Sequence, residues 1–237
     1  MSGQNLSVGF LLLPGFQWLD AAGPVDYINN HSQAMLQAIH LPKEDVEKGP
    51  IITWHYISFD LKPVQATSGP TLNPSATYTD CPRLDYLIAP GPDKTVPLTT
   101  GCADFLKACF KGLKGFLTAC TGSMAVAQAG LLDGYNVCTN GVALKAVRSL
   151  GLPNKKVPWV GDRRWVVDRK VWKAAGVTVG VDRGAEFARA NFHPMLVELT
   201  KTVLENKPNP DNRTTSRSSS MESPTTARRR NSYVMRA

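Results

Sequence analysis

The sequence lacks the cysteine and histidine spacings that build metal sites and disulfide frameworks. Its five cysteines are widely separated, no CxxC pair occurs, and none of the four histidines lies near a cysteine. A structural zinc site uses closely spaced pairs of such ligands, and small secreted proteins use an even set of cysteines. We therefore expect no metal, no disulfide framework and a reducing, intracellular setting.

Long apolar runs and a targeting segment are also missing. No window approaches the ~18 apolar residues that a membrane span needs, which predicts a protein without membrane contact. The N-terminal stretch MSGQNLSVGFLLLPG has no basic start, and its short apolar part ends in a Pro-Gly turn. This is typical of a first strand rather than a signal peptide. Together these absences favour a cytoplasmic location.

Basic residues are concentrated at the C-terminal end. The 237 residues carry a net charge of +8, yet residues 207–237 alone contain seven basic and two acidic residues. Apolar residues nearly vanish there, and Ser, Thr, Pro and Arg replace them. We therefore predict one domain at 1–206 followed by a disordered basic tail at 207–237. The mild basicity of the domain argues against nucleic-acid binding.

The tail carries two short signals. Arg-Arg-x-Ser ending at Ser232 fits a basophilic kinase, and the neighbouring arginines leave a nuclear location open. Both strings arise often by chance in segments rich in Arg and Ser. A purely solvated tail is the simpler interpretation.

Short apolar runs alternate with helical stretches along the domain. This alternation is typical of a mostly parallel sheet with helices on both faces, and hence of an α/β fold. A pattern that alternates around Asp168 and Arg169 predicts a β-hairpin at 163–177, which explains its tryptophans better than a nucleic-acid surface does. The predicted strands are 6–13, 51–59, 85–91, 115–120 and 136–139, and the predicted helices include 24–39, 100–112, 122–132 and 141–151.

Cys120 lies where the predicted strand 115–120 meets the predicted helix 122–132. A nucleophile on such a tight strand-to-helix turn projects above the sheet, where parallel strands meet their ligands. A helix start favours a thiolate through its N–H groups, and the amide of Thr121 would face an oxyanion there. The alternative is that Cys120 is a small buried apolar residue, the usual state of a cysteine outside disulfides.

Four blocks in register carry a resemblance to a known family. They are FLLLPGFQWLDAAGPVDYI at 10–28, LIAPGP at 87–92, TACTGSMAVAQAGLLDGYNVCT at 118–139 and RRWVVDRKVWKAAGVTVGVD at 163–182. The sequence resembles the ThiJ/PfpI superfamily over roughly 5–205, within the class I glutamine amidotransferase-like fold. It is most similar to the isonitrile hydratase-like branch, which shares its domain with some AraC-type regulators. The resemblance implies a flavodoxin-like three-layer sandwich with a nucleophile elbow.

The resemblance also implies roles for particular residues. In the family an acidic residue from the first strand–helix connection hydrogen-bonds the elbow cysteine, and Asp20 takes that position. Thr121, after the cysteine, matches a threonine that assists catalysis. Gly91, Thr121 and Gly122 match the backbone that surrounds the oxyanion. An N-cap role for Asp20 and ordinary first-turn chemistry for Thr121 are the simpler alternatives. Family members are usually homodimers, so a homodimer is expected.

Two positions depart from the family pattern. Relatives usually carry Gly-Gly in the loop after the third sheet strand, whereas this chain has Gly91-Pro92, and proline offers no N–H. Relatives commonly carry a histidine where this chain has Asn140. A Cys-His nucleophile would lose its base there, which argues against peptidase activity.

A hydratase mechanism does not need that imidazole. The sequence therefore favours a cofactor-free, cysteine-dependent hydratase or lyase, with Cys120 as nucleophile and Asp20 as proton shuttle. The expected substrate is a small electrophile, either an isonitrile or a reactive carbonyl, and a glyoxalase-like activity comes second. Two alternatives remain open: an oxidative-stress sensor through Cys120, and a binding module of the same fold that has no catalytic activity.

Overall fold

A seven-stranded sheet lies at the centre of the computed structural model, which describes residues 3–93, 97–151 and 153–211. The strand order is β5-β2-β1-β6-β7-β9-β8, and all pairs are parallel except β8 with β9. A short antiparallel pair, β3 with β4, stands apart from it. The strands are β1 Asn5–Leu11, β2 Ile51–Ser58, β3 Val64–Gln65, β4 Thr71–Leu72, β5 Ala76–Thr77, β6 Tyr86–Ala89, β7 Gly115–Ala119, β8 Trp165–Asp168 and β9 Val171–Ala174.

Successive residues of the central strands enter two different hydrophobic cores. Phe116 of β7 packs in a cluster with Phe105 and Val126, whereas the next residue, Leu117, packs with Val25 and Phe187. Side chains alternate between the faces of a strand, so a strand buried on both faces reads as a continuous apolar run. The helices are α1 Trp18–Asn29, α2 Gln33–Ala38, α3 Lys43–Val46, α4 Thr100–Phe110, α5 Gly122–Gln128, α6 Gly141–Ser149, α7 Val179–Asn191 and α8 Pro194–Val203.

This architecture confirms the predicted α/β fold with a mostly parallel sheet and helices on both faces. The predicted hairpin is confirmed as β8 and β9, with Arg169 in the left-handed region (φ 52°) at its turn. The predicted strand 136–139 is wrong, because only an isolated bridge joins Val137 to Trp159. The predicted helix 24–39 is also wrong, because α1 begins earlier, at Trp18, and non-helical residues separate its end from the start of α2.

Helix α1 contains Pro24 in its interior and packs closely on α7. A Cβ atom on Gly184 would lie 3.4 Å from the Cα of Pro24, and a Cβ on Gly23 would lie 2.8 Å from Cγ2 of Val181. The small residues therefore allow the two helix backbones to approach each other. This contact fixes α1 on the face of the sheet where Val25 and Ile28 pack with Leu117.

The first residues of the predicted tail contact the domain. The N–H of Asn209 donates to Asp182 at 2.9 Å, and Arg163 pairs with Asp211 at 3.1 Å. Residues 212–237, including Ser232, lie outside the described residues, so the disordered tail stays a prediction. Among the described residues no helix is long and apolar enough to cross a membrane.

Candidate active site

Cys120 occupies the turn between β7 and α5 in a strained backbone conformation. Its φ is 51°, in the left-handed region that L-residues with a Cβ avoid at a cost of about 1–2 kcal/mol. Its N–H donates to the carbonyl of Ala174 at 3.0 Å, and its carbonyl accepts from Oγ1 of Thr139 at 2.7 Å. Hydrogen bonds on both sides therefore hold this turn, and the half-buried side chain lies at the carboxyl end of the sheet.

Gly122 is the first residue of α5 and lies against the end of β6. A Cβ there would be 2.6 Å from the carbonyl oxygen of Pro90 and 2.7 Å from that of Ala89. Backbone atoms cannot yield as side chains do, so only glycine fits. This contact explains why a glycine follows Thr121 at the start of α5.

Asp20 is fully buried on the first turn of α1. Its Oδ2 accepts a hydrogen bond from the N–H of Gly91 at 2.9 Å, and its Oδ1 has no hydrogen-bond partner among the described residues. Burial raises the pKa of Asp20 to about 6, against the opposing effects of the Gly91 hydrogen bond and the positive charge of Arg183. A carboxyl group in this range can both take and give a proton near neutral pH.

The N-cap alternative for Asp20 is wrong. The N-cap residue of α1 is Gln17, and Asp20 lies inside the helix, where its side chain turns to the loop after β6. The carboxyl group is therefore held by tertiary contact rather than used to satisfy the helix end.

Gly91 lies between the side chains of Asp20 and Thr121. A Cβ at Gly91 would be 3.0 Å from Oδ2 of Asp20 and 2.7 Å from Oγ1 of Thr121. Its carbonyl also accepts from the N–H of Gln17 at 2.9 Å. Because its N–H already donates to Asp20, the predicted role of Gly91 as an oxyanion donor competes with that hydrogen bond.

Thr121 joins the elbow to a cavity of about 260 Å³. The cavity lies between α5, α6 and the loop after β6, and its lining is predominantly apolar. Thr121 itself is 8% exposed, with a right-handed backbone and no capping hydrogen bond from its side chain. The lining residues are Pro92, Asp93, Leu98, Thr121, Met124, Ala125, Gln128, Val142, Ala143, Ala146 and Val147.

The sequence prediction missed Arg183. This arginine of α7 is fully buried, and its Nη1 donates to the carbonyl of Thr118 at 2.7 Å and to that of Trp172 at 3.3 Å. Burial lowers its pKa to about 10, while the negative charge of Asp20 opposes that shift. The signal was present in the sequence, because Arg183 shares an i, i+4 face with Val179 and Phe187, both buried.

Asn140 stands where relatives commonly carry a histidine, and it serves as a helix cap. Its side-chain oxygen accepts from the N–H of Ala143 at 3.0 Å, at the start of α6. His193 likewise accepts from the N–H of Met195 at the start of α8. Both side chains are thus engaged in capping.

The remaining four cysteines are poor nucleophiles. Cys102 and Cys138 are buried, and burial raises the pKa of Cys138 to about 12. Burial also raises the pKa of Cys81 to about 11 and that of Cys109 to about 12. The thiolate is the reactive form, so these four contribute little at neutral pH. In the part of the chain that the structure describes, no cluster of His, Cys, Asp or Glu could hold a metal ion.

Known proteins with a related sequence include an enzyme and a transcriptional regulator. An isonitrile hydratase from Pseudomonas putida is 30% identical over 208 residues, which cover 86% of this chain and 80% of that protein. The HTH-type transcriptional regulator GbdR from Pseudomonas aeruginosa is 27% identical over 177 residues, which cover 74% of this chain and 44% of the regulator. No protein-family model matches the sequence.

A solved structure shows the same fold. The crystal structure of a ThiJ/PfpI family protein from Pseudomonas syringae superposes with a TM-score of 0.68 at 25% sequence identity. The superposition covers 88% of this chain and 78% of that one. The parallel sheet and the elbow described above therefore belong to an architecture that is already known.

Proposed function

We propose, because the chain belongs to the isonitrile hydratase-like branch of the ThiJ/PfpI superfamily, that it is a cofactor-free, cysteine-dependent hydratase of small electrophiles. The single observation that carries this proposal is the buried contact of Asp20 with Gly91, directly beside Thr121 and the Cys120 elbow. In this arrangement Cys120 is the nucleophile and Asp20 the proton carrier, so the proposed reaction uses neither an imidazole nor a metal.

The reaction that fits this pair is the addition of water to an isonitrile. The Sγ atom of Cys120 bonds to the terminal carbon, and the thiol proton passes by way of Asp20 to that same carbon, which gives a thioimidate. Water then adds to the carbon, and the Asp20 carboxylate takes one of its protons and passes it to the nitrogen. The C–S bond breaks, the remaining hydroxyl proton moves to sulfur, and an N-substituted formamide leaves. Thr121 orients the adduct through its hydroxyl group.

The cavity beside Thr121 supports an uncharged, apolar substituent on the substrate. Met124, Ala125 and Val147 line it, and its volume of about 260 Å³ accommodates a ring-sized group. An anionic substituent would lose its hydration against these side chains and would lie near Asp93, which also lines the cavity. Isonitriles with aryl or alkyl substituents meet this requirement, and so do small apolar carbonyl compounds.

The test is turnover of p-nitrophenyl isocyanide by the purified chain, with the formamide identified by mass. Cys120→Ser and Asp20→Ala should each lower the rate by at least about 100-fold, as loss of a nucleophile or proton carrier does. Cys81→Ser is the matched control and should keep full activity. Equal rates in the wild type and in Cys120→Ser would sink the proposal.

A second candidate is a ligand-binding module without turnover. The similarity to the regulator GbdR over 74% of this chain favours it, and Pro92 in the loop beside the elbow offers no N–H to an oxyanion. Isothermal titration with the same isonitriles separates the two candidates. Binding that is equally strong in the wild type and in Cys120→Ser, with no product in either, would establish the binding module.

A further inference from the structure

Arg183 lies on the side of α7 that faces both α1 and the central strands. Val179 and Phe187, one turn away on either side, are buried in the same face. The adjacent Gly184 lies in van der Waals contact range of Pro24 on α1. An arginine in this position cannot reach solvent, and its side chain is completely buried.

The guanidinium group is fixed beneath the elbow. Its Nη1 donates to the carbonyls of Thr118 on β7 and Trp172 on β9, at 2.7 and 3.3 Å. Thr118 is two residues before Cys120, so the same strand end carries the arginine's acceptor and the nucleophile. Two neighbouring strands thus hold the charge in a defined place.

The two buried charges are incompletely paired by hydrogen bonds. Within residues 3–93, 97–151 and 153–211, Nε and Nη2 of Arg183 and Oδ1 of Asp20 have no hydrogen-bond partner, and no ion pair forms between the two side chains. Charges that have lost their water interact strongly across a protein interior, even without contact. Each side chain accordingly shifts the pKa of the other toward its charged form.

Other ionisable groups lie around this pair. Cys120 belongs to the elbow at the end of β7, Cys138 acts on Arg183 from the segment after α5, and Asp93 belongs to the loop after β6. Lys173 of β9 is fully buried and donates to the carbonyl of Asn136 at 2.6 Å. Asp182, next to Arg183 on α7, pairs with Arg164. Asp182 is thus neutralised by Arg164, and Arg183 is the cation that acts on Asp20.

We propose that Arg183 is a positioning residue of this site: its buried positive charge stabilises the carboxylate form of Asp20, and its hydrogen bonds hold the strand end from which Cys120 projects. The Asp20 carboxylate can then accept the thiol proton at neutral pH. Without the arginine, only the Gly91 hydrogen bond would oppose the effect of burial, so the pKa of Asp20 should lie higher and less of the carboxyl group would be available as a base. The kinetic part of this inference rests on the proposed hydratase function, whereas the electrostatic part does not.

The decisive measurement is the titration of Asp20 by NMR in protein labelled with ¹³C at the aspartate carboxyl carbons. Comparison with Asp20→Asn assigns the resonance. In Arg183→Met the Asp20 midpoint should rise by at least about one pH unit, which corresponds to a tenfold change in its ionisation constant. Arg183→Lys keeps the charge and should give a midpoint between the two. An unchanged midpoint in Arg183→Met would overturn the proposal.

Two further variants separate charge from structure. Arg183→Gln keeps a hydrogen-bond donor for Thr118 but no charge, so its midpoint should rise as in Arg183→Met, and it replaces that variant if Arg183→Met does not fold. Lys173→Met removes an equally buried cation from the neighbouring strand and should leave the Asp20 midpoint where it is. A shift as large in Lys173→Met as in the Arg183 variants would contradict a specific role for Arg183.

The same variants distinguish this inference from the proposed function. If the protein hydrates isonitriles, the acid limb of the pH profile of kcat/KM should move upward with the Asp20 midpoint, and activity should recover at higher pH. If no isonitrile turns over in any variant while the Asp20 midpoint still moves, the hydratase proposal fails and the role of Arg183 stands.

Discussion

The backbone N–H of Gly91 donates a hydrogen bond to Oδ2 of Asp20 across 2.9 Å, although 71 positions separate the two residues in the sequence. This bond joins the loop after β6 to the first turn of α1. It holds Oδ2 beside the elbow, whereas Oδ1 has no hydrogen-bond partner among the described residues. A backbone group therefore acts on the pKa of Asp20 together with the charge of Arg183.

Replacing Gly91 by alanine should damage activity more than stability. The new methyl group would lie 2.7 Å from Oγ1 of Thr121 and 3.0 Å from Oδ2 of Asp20, so both side chains must move. A displacement of about 1 Å in a catalytic group lowers rates on the order of 100-fold, whereas overpacking of this size costs about 1–3 kcal/mol. Measurements of kcat/KM and of urea denaturation test this expectation. Gly141→Ala, which meets no atom within 4 Å, should leave both unchanged.

Substitution of Cys120 should expose the strain at the elbow. Cys120→Gly relieves the positive φ, whereas Cys120→Ala keeps it, so the glycine variant should be the more stable by about 1 kcal/mol. Denaturant unfolding of the two variants gives the difference directly. At Ala125, inside α5, the order should reverse, and Ala125→Gly should be about 1 kcal/mol less stable than the wild type. If Cys120→Gly is less stable than Cys120→Ala, the turn is not strained.

The difference in the free energy of unfolding between the wild type and Asp20→Asn should depend on pH. The pKa of Asp20 is raised from 3.8 to about 6 on folding, so between these values the folded protein binds more protons than the unfolded chain. The free energy of unfolding of the wild type therefore falls, relative to Asp20→Asn, as the pH rises from about 4 to about 6, by up to about 3 kcal/mol. Urea denaturation at pH 4, 5, 6 and 7.5 measures this difference.

The control for that measurement is Asp26→Asn, on the exposed side of the same helix. An exposed carboxylate keeps its hydration when the protein folds, so this variant should track the wild type at every pH. A difference between the wild type and Asp20→Asn that stays constant from pH 4 to 7.5 would mean that the carboxyl group is not desolvated.

A bulky side chain at Ala146 should select against large substrates. Ala146 lines the cavity beside Thr121, and Ala146→Phe would fill much of it. On the proposed function, KM for p-nitrophenyl isocyanide should rise at least about tenfold, while that for methyl isocyanide changes little, since lost apolar burial costs about 1–3 kcal/mol. Lys145→Phe, at an exposed position of the same helix outside the cavity lining, is the matched control.

The sequence was sufficient for the fold and for the identity of the elbow. Continuous apolar runs predict strands buried on both faces, and the position of Cys120 between the predicted strand 115–120 and the predicted helix 122–132 predicts a strand-to-helix turn there. The helix beginning at Trp18 was missed because Pro24 suggested a start rather than an interior position. The strand at 136–139 was wrong because an apolar run shows burial but not whether a neighbouring strand pairs with it.

The electrostatics of the site lay beyond the sequence. The Gly91–Asp20 hydrogen bond arises from a contact between distant segments, which no local pattern encodes. The i, i+4 spacing places Arg183 on an apolar face, but a charge in such a position normally marks the edge of the buried stripe. The homodimer, the cytoplasmic location and the catalytic roles of Cys120, Asp20 and Thr121 stay predictions.

The close approach of α1 and α7 divides the site into two parts with separate supports. Packing at Gly23 and Gly184 sets the distance between α7 and α1, the helix that carries Asp20. The elbow that carries Cys120 is held instead by two hydrogen bonds: the Cys120 N–H donates to β9, and the Thr139 hydroxyl donates to the Cys120 carbonyl. Substitutions of increasing size on the side of α7 that faces away from α1 could therefore change the position and the pKa of Asp20. The turn that carries Cys120 would not have to be redesigned. Arg183 belongs to both parts, because it lies on α7 and also donates to Thr118 of β7 and Trp172 of β9. A substitution that moves Arg183 would therefore change both parts at once.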